Sequence, residues 1–437
     1  MGNNKKIGFF SIVLLGINAI IGSGIFLLPN KAMKLIGPAS LLVILFDMIL
    51  VVSIALCFAE VGGMFKKNGG PYVYAKEAFG DFVGFEVGFM KWAISMIAWA
   101  TMAVGFTTAL SAVFPAAGEG FTKNVIIVCI LLGLGIINIL GVNISKILNN
   151  IITVGKLLPL LIFVAIGIFF IKGNNFTPFF PNGQYISGSF GAAALLIFYA
   201  FTGFESIAVA AEDMENPEKN IPKAIITVMI IVSIFYLLIQ TVSIGILGPD
   251  LGLTNTPVAD ASSVFLGKGG GILVTAGTLI SIGGINMASS FITPRTAVAL
   301  AEDGLLPKAL AKYNKKGTPY IAIIVTVLIT IPIALSGSFT KLAAISVVSR
   351  FAQYLPTCLS VLVLRKKRPD LKTSFRIPFG PVVPILAVIV SIWLLTQSSM
   401  DKILWGLGGL ILGVPIYFLM KKINKPNEHE DSLDKAN

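Results

Sequence analysis

Long apolar runs alternate with short polar stretches along the whole chain. Runs of roughly 17 to 30 residues recur at 9–35, 39–65, 82–114, 124–142, 147–172, 189–213, 221–247, 271–301, 319–336, 342–364, 381–397 and 403–420, the length a helix needs to cross a bilayer. The pattern predicts an all-α polytopic membrane protein of twelve transmembrane helices, a single membrane domain over residues 1–437. The longest connections, around 174–187 and 249–270, are rich in Gly, Pro and polar residues and read as loops. No soluble domain fits between the spans, so function is expected in the helices. Composition agrees: 55% hydrophobic and 12% charged residues, with a mean hydropathy of +0.88, leave too little polar surface to cover a soluble globule.

Charge then sets orientation. With the N-terminus in the cytoplasm, 23 of the 33 Lys and Arg residues fall on that side and seven (Lys31, Lys34, Lys123, Lys172, Lys268, Lys341, Lys402) on the other, while Lys91, Lys156 and Arg350 lie within spans. This asymmetry predicts a cell-membrane protein with both termini cytoplasmic. The net charge of +12 is therefore a topology signal, and no soluble basic face with interleaved aromatics points to nucleic acid. Lys5 and Lys6 precede the first run as in a secretory leader, but its length and the missing small-residue cleavage site predict a retained helix. Cys57, Cys129 and Cys358 fall inside spans without paired spacing and read as packing residues. The lone histidine, His429, lies in the polar tail 424–437, expected to be disordered and cytoplasmic. No His/Cys/Asp spacing suggests a metal site, a cofactor or an enzyme.

Two apolar runs are interrupted halfway, by Ile21-Gly22-Ser23-Gly24-Ile25 and by Phe201-Thr202-Gly203-Phe204-Glu205, about 180 residues apart. Glycine weakens a helix, and unwound backbone at membrane depth persists only where it lines a cavity or grips a ligand. Residues 9–172 and 189–364 each open with such a broken span. Five spans being an odd number, the second set enters from the opposite side, as in an inverted repeat. Helices 11 and 12, at 381–420, and a tail from 421 lie outside the repeat. A break presents the positive end of one half-helix beside the carbonyls of the other, a charge pattern complementary to a zwitterionic amino acid. The N–H groups around Ser23 and Gly24 would take a carboxylate, and the carbonyls of Ile20, Tyr199, Phe201 and Thr202 an ammonium. The alternative is that the glycines only permit close helix packing.

Gly22-Ser23-Gly24-Ile25-Phe26 with Pro29, Glu60 followed by Gly69-Gly70-Pro71-Tyr72-Val73-Tyr74, Phe201 to Glu205 with Asn216-Pro217, and the basic stretch 365–381 together resemble the amino acid-polyamine-organocation superfamily of permeases over essentially the whole chain. The resemblance implies a LeuT-type 5+5 inverted repeat with discontinuous helices 1 and 6 and the substrate held between a bundle and a scaffold. It implies a substrate site of Ile20, Gly22, Ser23, Gly24, Tyr199, Phe201, Thr202, Gly203 and Ile285. Tyr199 matches the aromatic gate, and Ile285 stands where some arginine exchangers carry tryptophan. Without that indole a stacked guanidinium loses its partner. The expected pocket wall, with Ala19 and Asn286, carries no carboxylate except Glu205, which favours a neutral substrate.

Lys156 lies about 15 Å into the fifth span, where an uncompensated ammonium is costly and hence functional or snorkelling. The resemblance gives it the place of a cation in sodium-coupled relatives, touching the first break and Ser281. Glu205 reads as a mid-membrane carboxylate without a fixed partner, which the resemblance makes a proton sensor linking bundle to scaffold; the plainer reading is that it merely caps free amide groups of the following half-helix. Asp47 matches no motif and is a candidate partner for Lys91 or a packing group. Trp92 and Trp99 read as packing or interfacial anchors. The expectation is a secondary transporter, a proton-coupled symporter of neutral amino acids. An obligate exchanger that could accept cationic amino acids, and a non-transporting amino acid sensor, are the alternatives; a channel would need a continuous polar lining. Amino acid, protons and membrane lipid are the expected partners, in a monomer or a homodimer.

Overall fold

Nine helices are long and apolar enough to cross a membrane in a computed structural model that describes residues 6–65, 69–141, 146–208, 214–371, 373 and 375–423. Three shorter apolar helices, Val154–Phe170, Tyr320–Leu335 and Val382–Thr396, stand where the fifth, ninth and eleventh spans are expected. Twelve apolar helices thus follow in the predicted order, and among the described residues the only β-type pairing is an isolated bridge between Ile7 and Met214.

The elements are α1 (Phe9–Ile20), α2 (Ser23–Leu27), α3 (Pro29–Ile36), α4 (Ser40–Gly62), α5 (Pro71–Phe79), α6 (Asp81–Leu110), α7 (Gly120–Ile139), α8 (Lys146–Gly167), α9 (Ser189–Phe198), α10 (Pro217–Leu247), α11 (Pro257–Glu302), α12 (Tyr320–Leu335), α13 (Phe339–Lys367), α14 (Val382–Thr396) and α15 (Met400–Ile423). Three differ from the sequence expectation. The connection after the second span contains α5, because Gly70 turns at φ 55° and Pro71, with no N–H to lose, starts a helix. The stretch 249–270, read as a loop, is helical from Pro257, and α11 changes direction at Gly267, where φ is 66°. The last helix runs to Ile423, beyond the expected end at 420. The tail 424–437 with His429 lies outside the described residues.

The two broken spans are held between long neighbours. α10 packs along both α1 and α4, and α6 packs against α11 and α13. A Cβ on Gly16 would sit 2.9 Å from Val228 Cγ2, so the glycine lets α1 approach α10 closely. Phe58, Phe198, Phe204 and Tyr354 form a buried aromatic cluster that joins α4 and the second break to α13, with ring centroids 5.4 to 6.2 Å apart; each such pair contributes about 1 kcal/mol beyond its buried area. At one end of α4, Arg365 donates Nε and Nη2 to the two Glu60 oxygens at 2.7 Å each, and the Ile377 N–H joins them at 2.7 Å. Cys57 and Cys358 are buried in packing positions and Cys129 faces outward. Trp99 is buried, and Trp92 donates Nε1–H to Thr326 Oγ1 at 3.2 Å.

Asp47 and Lys91 do not pair. The Lys91 ammonium donates to the Gly69 carbonyl at 3.4 Å, whereas both Asp47 carboxyl oxygens are buried without a hydrogen-bond partner.

Candidate functional site

The first break is short. α1 ends at Ile20, Ile21 turns extended (φ −70°, ψ 97°), Gly22 adopts φ −133° and ψ −145°, and α2 restarts at Ser23. The second is looser: α9 tightens into a 3₁₀ turn over Tyr199–Phe201, Thr202 is extended, Gly203 has φ 118°, and a second 3₁₀ turn spans Phe204–Ala208. Only glycine tolerates that φ at low cost. The breaks pack against each other. A Cβ on Gly24 would lie 2.7 Å from Ala200 Cα, and one on Gly203 would lie 2.5 Å from Ala19 O.

Carbonyls released by the first break already have donors. Lys156, fully buried on α8, donates Nζ–H to Asn18 O at 2.6 Å and Ile21 O at 2.9 Å. Ser281 Oγ reaches Ile21 O at 3.4 Å, and Tyr236 OH reaches Ile20 O at 3.3 Å. Lys156, Ser281 and the break therefore meet as the resemblance implied, and the lysine does not snorkel. In the second break Thr202 donates both its N–H and its Oγ1–H to Tyr199 O.

The space beside Gly22 is filled by side chains. Tyr199 OH lies 3.1 Å from Ser23 Oγ, and its ring stands edge-on to Phe339 at 5.8 Å. Ser23 Oγ donates to Met102 Sδ at 3.3 Å. A Cβ on Gly22 would meet Ile285 Cδ1 at 2.7 Å and Met102 Cε at 3.1 Å. Tyr199, Ile285 and Met102 thus cover the first break, and any occupant must displace them. Asn286 is buried and turns its amide N–H back to Ile282 O at 3.0 Å.

Glu205 has fixed partners, contrary to the expectation of an unpartnered carboxylate. It accepts from the Gly203 N–H at 2.9 Å and Tyr354 OH at 3.1 Å, and lies 3.4 Å from Gln353 Nε2 and 3.5 Å from Arg350 Nη1. It therefore caps local backbone and also joins the break to α13. Tyr354, Met102 and Tyr236 were not singled out from sequence, and Arg350 was noted only as a cation within a span. Arg350 was legible as an intramembrane cation in need of a carboxylate, with Tyr354 one turn along the same face; Met102 and Tyr236, apolar or amphipathic residues in apolar runs, carry no such signal.

Among the described residues no three His, Cys, Asp or Glu side chains are grouped so as to hold a metal ion, and broken helices with a tethered cation suit reversible ligand capture. The family described as amino acid permease matches residues 7–414. An uncharacterized transporter of Mycobacterium tuberculosis is 33% identical, covering 94% of this chain and 90% of its own length. The branched-chain amino acid permease BcaP of Bacillus subtilis is 30% identical over 97% and 95%, and the serine/threonine exchanger SteT of the same organism 30% identical over 96% and 98%. The chain therefore belongs to the amino acid permease family of the amino acid-polyamine-organocation superfamily, a multi-pass membrane transporter and not an enzyme.

Proposed function

We propose that this permease is a secondary active symporter in the cell membrane, carrying neutral amino acids with protons by alternating access, both termini in the cytoplasm. The observation that carries this reading is the Lys156 ammonium on the Asn18 and Ile21 carbonyls. It occupies the first break as a bound cation would, yet it is a group that can gain or lose a proton. A protonated lysine has three donors; the neutral amine has two and a lone pair, so its grip on those carbonyls weakens with proton loss. The substrate carboxylate would face the Ser23 and Gly24 N–H groups, its ammonium the carbonyls of Ile20, Phe201 and Thr202, with Gly22, Gly203, Tyr199 and Ile285 shaping the rest. Ser281 shares the Ile21 carbonyl with Lys156, and Glu205 relays the state of the second break to α13.

Charge favours a neutral cargo. Glu205 is balanced by Arg350, so the site's surplus charge is Lys156, and a cationic side chain would add a second unpaired cation at membrane depth. Residues 9–172 and 189–364 act as inverted repeats whose relative rocking opens the site to either side. A second reading, obligate exchange with Lys156 permanently charged, draws support from the similarity to a serine/threonine exchanger.

Purified protein in sodium-free liposomes tests both, with labelled alanine, serine, leucine and arginine supplied outside. Uptake into empty vesicles driven by an inward proton gradient is the expected result. Uptake only into vesicles preloaded with amino acid would replace symport by exchange, and binding without uptake would make the protein a sensor.

A further inference from the structure

Asp47 and Ser233 take no part in the scheme above. Asp47 is fully buried and Ser233 is 1% exposed, and neither the two carboxyl oxygens nor Ser233 Oγ has a hydrogen-bond partner. Helix register brings them together. Gln240 Nε2 of α10 donates to Ser40 Oγ of α4 at 3.1 Å, and towards the other ends of the pair a Cβ on Gly63 would lie 3.2 Å from Glu218 O. The helices thus run antiparallel in one register. Asp47 stands two turns after Ser40 and Ser233 two turns before Gln240, so they face one another across the contact. One turn back towards Ser40 and Gln240 lie Ile44 and Tyr236, which with Gly24, Phe201 and Gln240 line a small cavity of about 20 Å³, room for about one water.

The chemistry of this pair narrows its ligand. α4 and α10 are continuous here, so their carbonyls are engaged in the helical ladder and cannot ligate a metal ion. Three side-chain oxygens fall short of the six or more that hard divalent cations take. A bare carboxylate would be unpaired. α9 and α14, which also pack on α4, contain no charged residue, and the charges of α10 (Glu218, Lys219, Lys223) lie at its start, about 15 Å or more from Ser233. Glu205 is held by Arg350. Of the remaining cations on elements touching α4, Arg365 is committed to Glu60, Arg368 just beyond α13 to Asp370, and Lys31, Lys34, Lys341, Lys366 and Lys367 lie near helix ends away from mid-span. A neutral acid brings one O–H donor, which a serine hydroxyl accepts.

We propose that Asp47 and Ser233 form a proton-binding site within the bundle, distinct from Lys156, in which the Asp47 carboxylic acid donates to Ser233 Oγ through a bridging water. Binding forms one O–H bond on Asp47, the proton coming from a hydronium ion that leaves as water and passing back to water on release.

Infrared spectroscopy of the full-length protein in liposomes tests this. The wild type should give a carboxylic-acid C=O band that moves in heavy water, disappears in Asp47→Asn and shifts in Ser233→Ala. A band unchanged by Asp47→Asn, or one that never moves in heavy water, overturns the proposal. If Asp47→Asn fails to fold, Ser233→Ala decides, an unshifted band overturning it. Lys156→Ala should leave the band in place, which separates this site from the coupling role given to Lys156.

Discussion

The Arg350 guanidinium lies 3.5 Å from the Glu205 carboxylate, each side chain about nine-tenths buried (10% and 12% exposed). Removing one member strands a buried charge at a cost of about 3–5 kcal/mol. Arg350→Ala should lower the thermal midpoint in detergent by several degrees and abolish uptake, while Arg350→Met with Glu205→Gln should recover much of the midpoint. If the double variant is no more stable than the single one, the pair does not contribute as a unit.

Backbone geometry at the breaks leads to a sharper contrast. Gly203→Ala places a Cβ 2.5 Å from Ala19 O on a residue at φ 118°, and Gly24→Ala places one 2.7 Å from Ala200 Cα. Each should reduce uptake about tenfold or more, since neither backbone can give way without moving the other break. Gly173→Ala, whose Cβ meets nothing within 4 Å, should transport as the wild type does. Initial uptake rates at matched protein amounts in liposomes read this directly.

Lys156→Ala should abolish proton-driven accumulation. Lys156→Arg keeps a permanent cation, so substrate should still bind while turnover falls. Binding measured by isothermal calorimetry beside uptake separates the two effects, and wild-type accumulation by either variant would remove Lys156 from the coupling scheme.

Ile285 closes on Gly22 from α11. Ile285→Ala opens room beside the break, so competition by leucine for alanine uptake should strengthen relative to competition by serine, by about tenfold at most for the apolar volume gained. Tyr199→Phe, which removes the hydroxyl facing Ser23, should change affinity by less, about 1 kcal/mol for one hydrogen bond.

How far the sequence could be read varied with the kind of signal. Apolar length located twelve apolar helices, nine of them long enough to cross a membrane, because the bilayer fixes how long a spanning helix must be. The glycines located both breaks because few other residues accept such backbone at depth. Lys156 was legible because a buried ammonium must find oxygen, whereas Ser281 was reached only through the family resemblance. Glu205 was misread as unpartnered because, apart from the Gly203 N–H, its partners Arg350, Gln353 and Tyr354 lie about 145 to 149 residues away, a relation that no local pattern encodes. The helix starting at Pro257 was taken for loop since Gly and Pro there mark its ends and its kink, not its absence. Met102 was invisible for a different reason: its role depends on which face of an evenly apolar helix meets the break.

Lys156 has one further consequence. A dissolved ion occupies its site only as often as its concentration allows, and dilution empties it. An ammonium attached to the chain has a local concentration fixed by its own side chain, so no change in the surrounding salt can wash it out. The first break thus carries the donor to its freed carbonyls as part of the polypeptide, inherited with the gene and not drawn from the medium.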